Sequence, residues 1–134
     1  MSKQLAAVTL LAVLAATQAI SAGAQQGQGM PKMQPPASTQ RTITGTVIDV
    51  SCKFGQGLSG AEHKMCSEVC ADRGIPLAIL ADDGKLYLAT SAAMPGDAQN
   101  ARLKPFAEQR VTVTGKVFGA GGASAIQIEK IAKA

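Results

Sequence analysis

Five segments rich in Val, Ile and Thr follow one another after residue 41, and in most of them apolar and polar residues alternate. This pattern predicts half-buried β-strands. The segments are residues 42–50, 77–81, 85–90, 110–118 and 125–132. Gly45 and Gly115 interrupt the two long strands, where we expect a bulge or bend. Asp82-Asp83-Gly84 predicts a tight turn between the second and third strands.

Two helical segments separate these strands. Ser59 and Glu62 fit a capping box, and the helical pattern continues to Arg73, directly before Gly74. Residues 98–107 predict only one or two helical turns, because Pro105 interrupts them. The order predicts a mainly β, OB-like five-stranded Greek-key barrel, partly open, with one helix inserted between strands 1 and 2 and a short helix before strand 4. Another small five-stranded barrel and an open α+β sheet are the alternatives.

The N-terminus has the pattern of a secretory signal peptide. Lys3 precedes an apolar stretch, residues 5–16, that is shorter than the roughly 20 residues needed to span a bilayer. Ala22 and Ala24 fit the Ala-x-Ala cleavage pattern, so we expect cleavage after Ala24. Residues 25–40, rich in Gln, Gly and Pro, predict a flexible linker, and residues 41–134 predict the folded domain. We therefore expect a periplasmic or secreted protein that is not held in the membrane after cleavage.

Charge and aromatic content narrow the class of partner. The chain has 13 basic and 9 acidic residues, so its net charge is mildly positive. It has no Trp, one Tyr and three Phe, too few for the stacking platform with which OB barrels bind single strands. We expect no nucleic-acid partner.

The candidate chemistry lies in one cluster. All three cysteines, Cys52, Cys66 and Cys70, and the single histidine, His63, fall between residues 52 and 70. The last three share one face of the predicted helix, and Cys52 lies on the loop that leads to it. Asp49, just before this loop, would support a ligand or cap the end of the strand, and we favour the cap.

Three interpretations of the cluster are open. In an oxidising compartment the default is a structural disulfide from Cys52 to Cys66 or Cys70, with one thiol left over; a bridge between Cys66 and Cys70 would strain the helix. Alternatively, three thiolates and the imidazole of His63 form a ligand set for zinc or, in a softer subset, for copper. The third interpretation is thiol redox chemistry at Cys66. With no Cys-x-x-Cys motif and no apparent oxyanion-stabilising group, we expect no enzymatic activity.

From Thr44 onward the sequence resembles a group of small secreted bacterial proteins of unknown function. The residues that carry the resemblance are Gly45-Thr-Val-Ile-Asp49-Val-Ser-Cys52, His63-Lys-Met-Cys66-Ser-Glu-Val-Cys70, Gly74-Ile-Pro76, Asp83-Gly84-Lys-Leu-Tyr87 and Val111-Thr-Val-Thr-Gly115. The resemblance implies an OB-like fold whose cysteine and histidine positions are the signature. A looser similarity to periplasmic bacterial OB-fold proteins, which bind small or cationic ligands, rests on architecture alone. We expect an exported, non-enzymatic binding module for a small ligand or metal ion, whose cluster is a disulfide plus a thiol.

Overall fold

The computed structural model describes residues 35–134, so the predicted signal peptide and most of the predicted linker lie outside the described residues. The strands are β1 (Thr39–Asp49), β2 (Leu77–Ala81), β3 (Leu86–Ala89), β4 (Arg110–Ala120) and β5 (Ala123–Lys133). The helices are α1 (Val50–Gln56), α2 (Lys64–Asp72) and α3 (Asn100–Leu103), with single 3₁₀ turns at Ala61–His63 and Lys104–Phe106. Within this part of the chain, no helix has the length and apolar character needed to cross a membrane.

The strands close into a barrel in the order β1-β2-β3-β5-β4. Every pairing is antiparallel except the parallel pair β3 and β5. This arrangement confirms the OB-like five-stranded prediction, although the barrel is closed and not partly open. Closure follows from the length of β1, which pairs with β4 along residues 39–46 and with β2 along residues 45–49.

The core lies inside the barrel and follows the alternation seen in the sequence. Val47, Ile79, Tyr87, Val111 and Ile126 are almost completely buried. Most of their chain neighbours on the same strands are less buried, as the two-residue period of a strand predicts, although Ile48 and Ala78 are buried as well. Leu103 of α3 and Ala71 of α2 join this core, so the two helices pack against the barrel.

The two strand glycines play different roles. β1 keeps a continuous register through Gly45, so the bulge predicted there is wrong. Glycine is needed because a Cβ at position 45 would lie 2.4 Å from the carbonyl oxygen of Leu80. The register between β4 and β5 does shift between Thr114 and Gly115, as expected for a glycine bend.

The segment between β1 and β2 differs from its prediction in two ways. Residues 50–56 form the helix α1, whereas the sequence predicted a loop. The predicted capping box at Ser59 is also wrong: Gly60 precedes the 3₁₀ turn, and the Ser59 hydroxyl accepts a hydrogen bond from Lys53 Nζ at 3.0 Å. The segment leaves β1 and enters β2 at paired positions, since Asp49 and Leu77 are register partners.

Candidate metal centre

Cys52 is held at the end of β1 by a cap on helix α1. Asp49 keeps an extended backbone, and its Oδ1 accepts a hydrogen bond from the backbone N–H of Cys52 at 2.9 Å. An aspartate at this position satisfies a helix N–H that would otherwise lack a partner. Gly57, in the left-handed region at φ 70°, ends the helix three residues after Phe54. Asp49 is therefore a helix cap and not the cap of a strand end.

The other three candidates lie on the second helical piece of the same segment. His63 ends the 3₁₀ turn, where its backbone N–H donates to Gly60 O at 2.9 Å. Cys66 and Cys70 follow one turn apart on α2. Cys52 is buried, Cys70 and His63 are half-buried, and Cys66 is exposed. The site therefore opens to solvent on the side of Cys66.

The structure brings all four sequence-predicted residues together in two overlapping groups. The thiol sulfurs of Cys52, Cys66 and Cys70 lie within 4.8 Å of one another. A second group, a carboxylate oxygen of Asp49, the sulfur of Cys52 and a ring nitrogen of His63, satisfies the same limit. Cys52 belongs to both groups. Its place on α1, between the end of β1 and the face of α2, puts it at the centre of the cluster.

Two buried polar atoms in this cluster have no hydrogen-bond partner. They are Oδ2 of Asp49 and Nε2 of His63. Buried polar atoms almost always have a partner, so an unpartnered pair beside the same thiol calls for an explanation. The thiols of Cys70 and Cys52 interact with the Asp49 carboxylate, but they are weak hydrogen-bond donors and leave Oδ2 without a partner of normal geometry. Both orphaned atoms are of a kind that coordinates metal ions.

The carboxylate of Asp49 controls the titration of the thiols around it. Burial alone would raise the pKa of Asp49, but hydrogen bonds from the Cys52 N–H and from the thiols of Cys70 and Cys52 bring that pKa below its ordinary value. The same carboxylate, through a hydrogen bond, is the main cause that raises the pKa of Cys70 to about 12. Burial first, and Asp49 second, raises the pKa of Cys52. Without an ion, the carboxylate of Asp49 therefore lies beside the protonated thiols of Cys52 and Cys70.

The structure does not contain the disulfide that the sequence favoured. Cys52, Cys66 and Cys70 are all free thiols. The sequence argument paired Cys52 with one helical cysteine and set the other aside. The fold instead groups all three, because Cys66 and Cys70 face the same neighbour.

Sequence reasoning undervalued one residue of the site and missed another. For Asp49, a strand-end cap was favoured over a role in supporting a ligand, although its position three residues before Cys52 is a recognisable helix N-cap spacing. Glu108 was missed. It lies between α3 and β4, far from the cluster in sequence, yet its carboxylate accepts a hydrogen bond from Ser67 Oγ at 2.5 Å. No local pattern around residue 108 signals this contact.

Comparisons of the chain with protein-family models, with curated proteins and with solved structures give no match.

Proposed function

We propose that this protein is an exported, non-enzymatic binding protein for one thiophilic metal ion, with zinc as the best fit. The ligands are Cys52, His63, Cys66 and Cys70. The observation that carries the proposal is the coincidence of three clustered free thiols with the partnerless Nε2 of His63 and Oδ2 of Asp49. One bound cation would account for the thiols and the imidazole as ligands, and the carboxylate of Asp49 beside Cys52 would balance part of its charge.

The spacing of the thiols suits such an ion. With Zn–S bonds of about 2.3 Å, two sulfurs of a tetrahedral site lie roughly 3.8 Å apart. The three sulfurs already lie within 4.8 Å of one another. Closing the cluster around an ion thus needs side-chain movements of about 1 Å or less per pair, within reach of small χ1 adjustments.

The donor types favour zinc over cuprous copper. Zinc accepts thiolate, imidazole and carboxylate ligands together, whereas cuprous copper prefers the soft thiolates. A cuprous ion would use Cys52, Cys66 and Cys70 and leave His63 and Asp49 unexplained. The presence of both harder donors beside Cys52 therefore supports zinc.

The charge balance supports a cation at this position and also predicts a proton release. Asp49 is a buried carboxylate whose pKa is below its ordinary value, so it is ionised at neutral pH. Ligand thiols must lose their protons to bind the ion. We expect at least two protons to be released per zinc bound near pH 7, because the raised pKa values of Cys70 and Cys52 keep these thiols protonated beforehand.

The test combines metal analysis with a thiol count. Protein purified from its native compartment without reducing agent is examined by native mass spectrometry and elemental analysis, and its thiols are titrated after denaturation in chelator. We expect one zinc per chain and three thiols. A metal-free protein with one thiol would overturn the proposal in favour of the disulfide predicted from the sequence. Three thiols with no ion bound, even after zinc addition, would overturn both.

Variants then assign the ligands. His63→Ala and Cys52→Ser should each weaken zinc binding by at least tenfold, measured by competition with a chromophoric chelator. Substitution of Lys53, whose side chain bonds Ser59 and not the cluster, is the matched control on the same segment. If His63→Ala weakens zinc binding but leaves cuprous copper binding unchanged, the imidazole is a zinc ligand as proposed. If His63→Ala changes neither the zinc affinity nor the cuprous copper affinity, His63 is not a ligand and the proposed ligand set is wrong.

A further inference from the structure

A buried carboxylate, that of Glu108, contacts the segment that carries the metal ligands at its ligand-bearing parts. The end of this segment that leads into β2 is held separately by Asn100, which donates to Ala71 O and Ile75 O. Glu108 is only 7% exposed, and its side chain reaches across from the connection between α3 and β4. Its Oε2 accepts a hydrogen bond from the backbone N–H of Gly60 at 2.7 Å, and its Oε1 accepts one from Ser67 Oγ at 2.5 Å. The backbone N–H of Asp49 lies 3.5 Å from Oε1. One side chain thus touches three separate parts of the ligand segment.

Each contact lies next to a candidate ligand. Gly60 starts the 3₁₀ turn and accepts the hydrogen bond of the His63 backbone. Ser67, completely buried, directly follows Cys66 on α2. Asp49 caps the helix that carries Cys52. Through these bonds Glu108 fixes the relative positions of both helical pieces without contacting a sulfur itself.

The backbone around Glu108 is arranged to present this side chain. Glu108 has φ 58°, and it is the only residue other than glycine with a positive φ among residues 35–134. Such a conformation is costly for a side chain of this size and persists where the surroundings enforce it. Here the Glu108 N–H donates to Val47 O at 2.8 Å, and Val47 N–H donates to Gln109 O at 3.1 Å. These two bonds tie the connection to β1 and direct the carboxylate toward the ligand segment.

We propose that Glu108 is a positioning residue for the metal centre, which holds the β1–α1 corner, the 3₁₀ turn and α2 in a preformed arrangement. This inference rests on the proposed metal-binding function. The position calls for acceptor oxygens: the backbone N–H groups of Gly60 and Asp49 can only donate, and the Ser67 hydroxyl donates here. A carboxylate side chain supplies two such oxygens. Outer contacts that orient metal ligands typically contribute a factor of about 10 to 100 in affinity.

The test uses cobalt(II) as a spectroscopic substitute for zinc in the full chain. Glu108→Gln keeps the size of the side chain but removes its charge, which weakens the bond from the Gly60 N–H. Its amide NH₂ can bond Ser67 Oγ only if that hydroxyl turns to act as the acceptor, so the present bond from Ser67 is lost. We expect its cobalt affinity to fall by about 10- to 100-fold, with altered thiolate-to-cobalt charge-transfer bands. Val113→Ala, in the core of β4, is the control that lowers global stability without touching the ligand segment. Its affinity should stay within about twofold of the wild type, with unchanged bands.

Each outcome decides between the two proposals. If the wild-type protein shows no thiolate-to-cobalt band, the proposed function fails and this inference fails with it. If the wild type binds cobalt and Glu108→Gln binds it with the same affinity and spectrum, only the positioning role is overturned. Should Glu108→Gln fail to fold, as judged by circular dichroism, Ser67→Ala removes a single one of the bonds. Wild-type affinity in folded Ser67→Ala would then overturn the inference, and a loss of several-fold would support it.

Discussion

Replacing Asp49 by Asn should make the thiol of Cys70 much more reactive in the reduced, metal-free protein. Asn is as good a helix N-cap as Asp, so the cap on α1 is kept while the negative charge is removed. The hydrogen bond to Asp49 is the largest cause that raises the pKa of Cys70 from 9.0 to about 12, followed by burial and then by the charge of Asp49. The substitution therefore separates the electrostatic effect of Asp49 from its structural one.

The size of the effect follows from the thiolate fraction. At pH 8 a thiol of pKa 9.0 is about one-tenth thiolate, whereas a thiol of pKa about 12 is roughly one part in ten thousand. Thiolate nucleophilicity rises with pKa at a Brønsted slope of about 0.4–0.5, which recovers part of this thousandfold loss. Cys70 should thus react roughly 30- to 60-fold more slowly than an ordinary thiol. Asp49→Asn should recover the part of that factor due to the hydrogen bond and charge of Asp49, and the effects of burial and of Cys66 should remain.

The assay is time-resolved alkylation with iodoacetamide at pH 8, followed by mass spectrometry of the cysteine-containing peptides. Glu129→Asn, which removes an exposed carboxylate far from the cluster, is the control and should leave the rate at Cys70 unchanged. The reasoning is refuted if Cys70 of the wild type reacts at the rate of an ordinary thiol. It is also refuted if Asp49→Asn leaves that rate unchanged while the helix content is preserved.

Three further outcomes are expected. The reduced, metal-free protein should be most stable below pH 9 and lose stability as the pH rises toward 12, since the folded state holds the proton of Cys70 more tightly than the unfolded chain does. Urea unfolding at several pH values measures this loss, and an unfolding midpoint that does not change with pH would contradict it. Gly45→Ala should destabilise the barrel by about 2 kcal/mol or more, because the new Cβ would lie 2.4 Å from a backbone oxygen. At Gly119 the nearest atom is 3.9 Å away, so Gly119→Ala should be tolerated, and the melting temperatures of the two variants should differ clearly. Leu103→Ala should lower the free energy of unfolding by about 2–5 kcal/mol because this side chain is completely buried, while Leu88→Ala should lower it much less because Leu88 is 41% exposed. Equal urea midpoints of the two variants would show that α3 does not close the core.

The strands could be predicted from the sequence because their alternation is local. The bounds of β2 match the expected 77–81, and the other four strands differ by at most three residues at either end. The alternation does not reveal whether the ends of β1 find partners on both sides, so closure of the barrel was not foreseen. The role of Gly45 was misjudged for the same reason, since its close neighbour Leu80 lies on another strand.

The candidate site was found in part because its four soft donors stand close together in sequence. Cys52, His63, Cys66 and Cys70 do meet in space, as the spacing suggested. Helix α1 was missed because it is only seven residues long and contains Gly55, which weakens its propensity. The contribution of Glu108 could not be inferred from any local signal, because it depends on a contact between residues 41 positions apart.

The register pairing of Asp49 with Leu77 also has a consequence for how the domain could be re-engineered. All the proposed ligands lie on the connecting segment between β1 and β2, residues 50–76, whose two ends are neighbours on adjacent antiparallel strands. A short turn would be able to join those ends, since the segment leaves β1 and enters β2 at the register pair of Asp49 and Leu77. The entropic cost of closing such a connecting segment grows only slowly with its length, so one barrel could carry connecting segments of different size. The connecting segment could therefore be exchanged while the barrel is kept. The new segment would have to supply an apolar side chain in place of Ala71 in the core and a hydrogen-bond donor for Glu108.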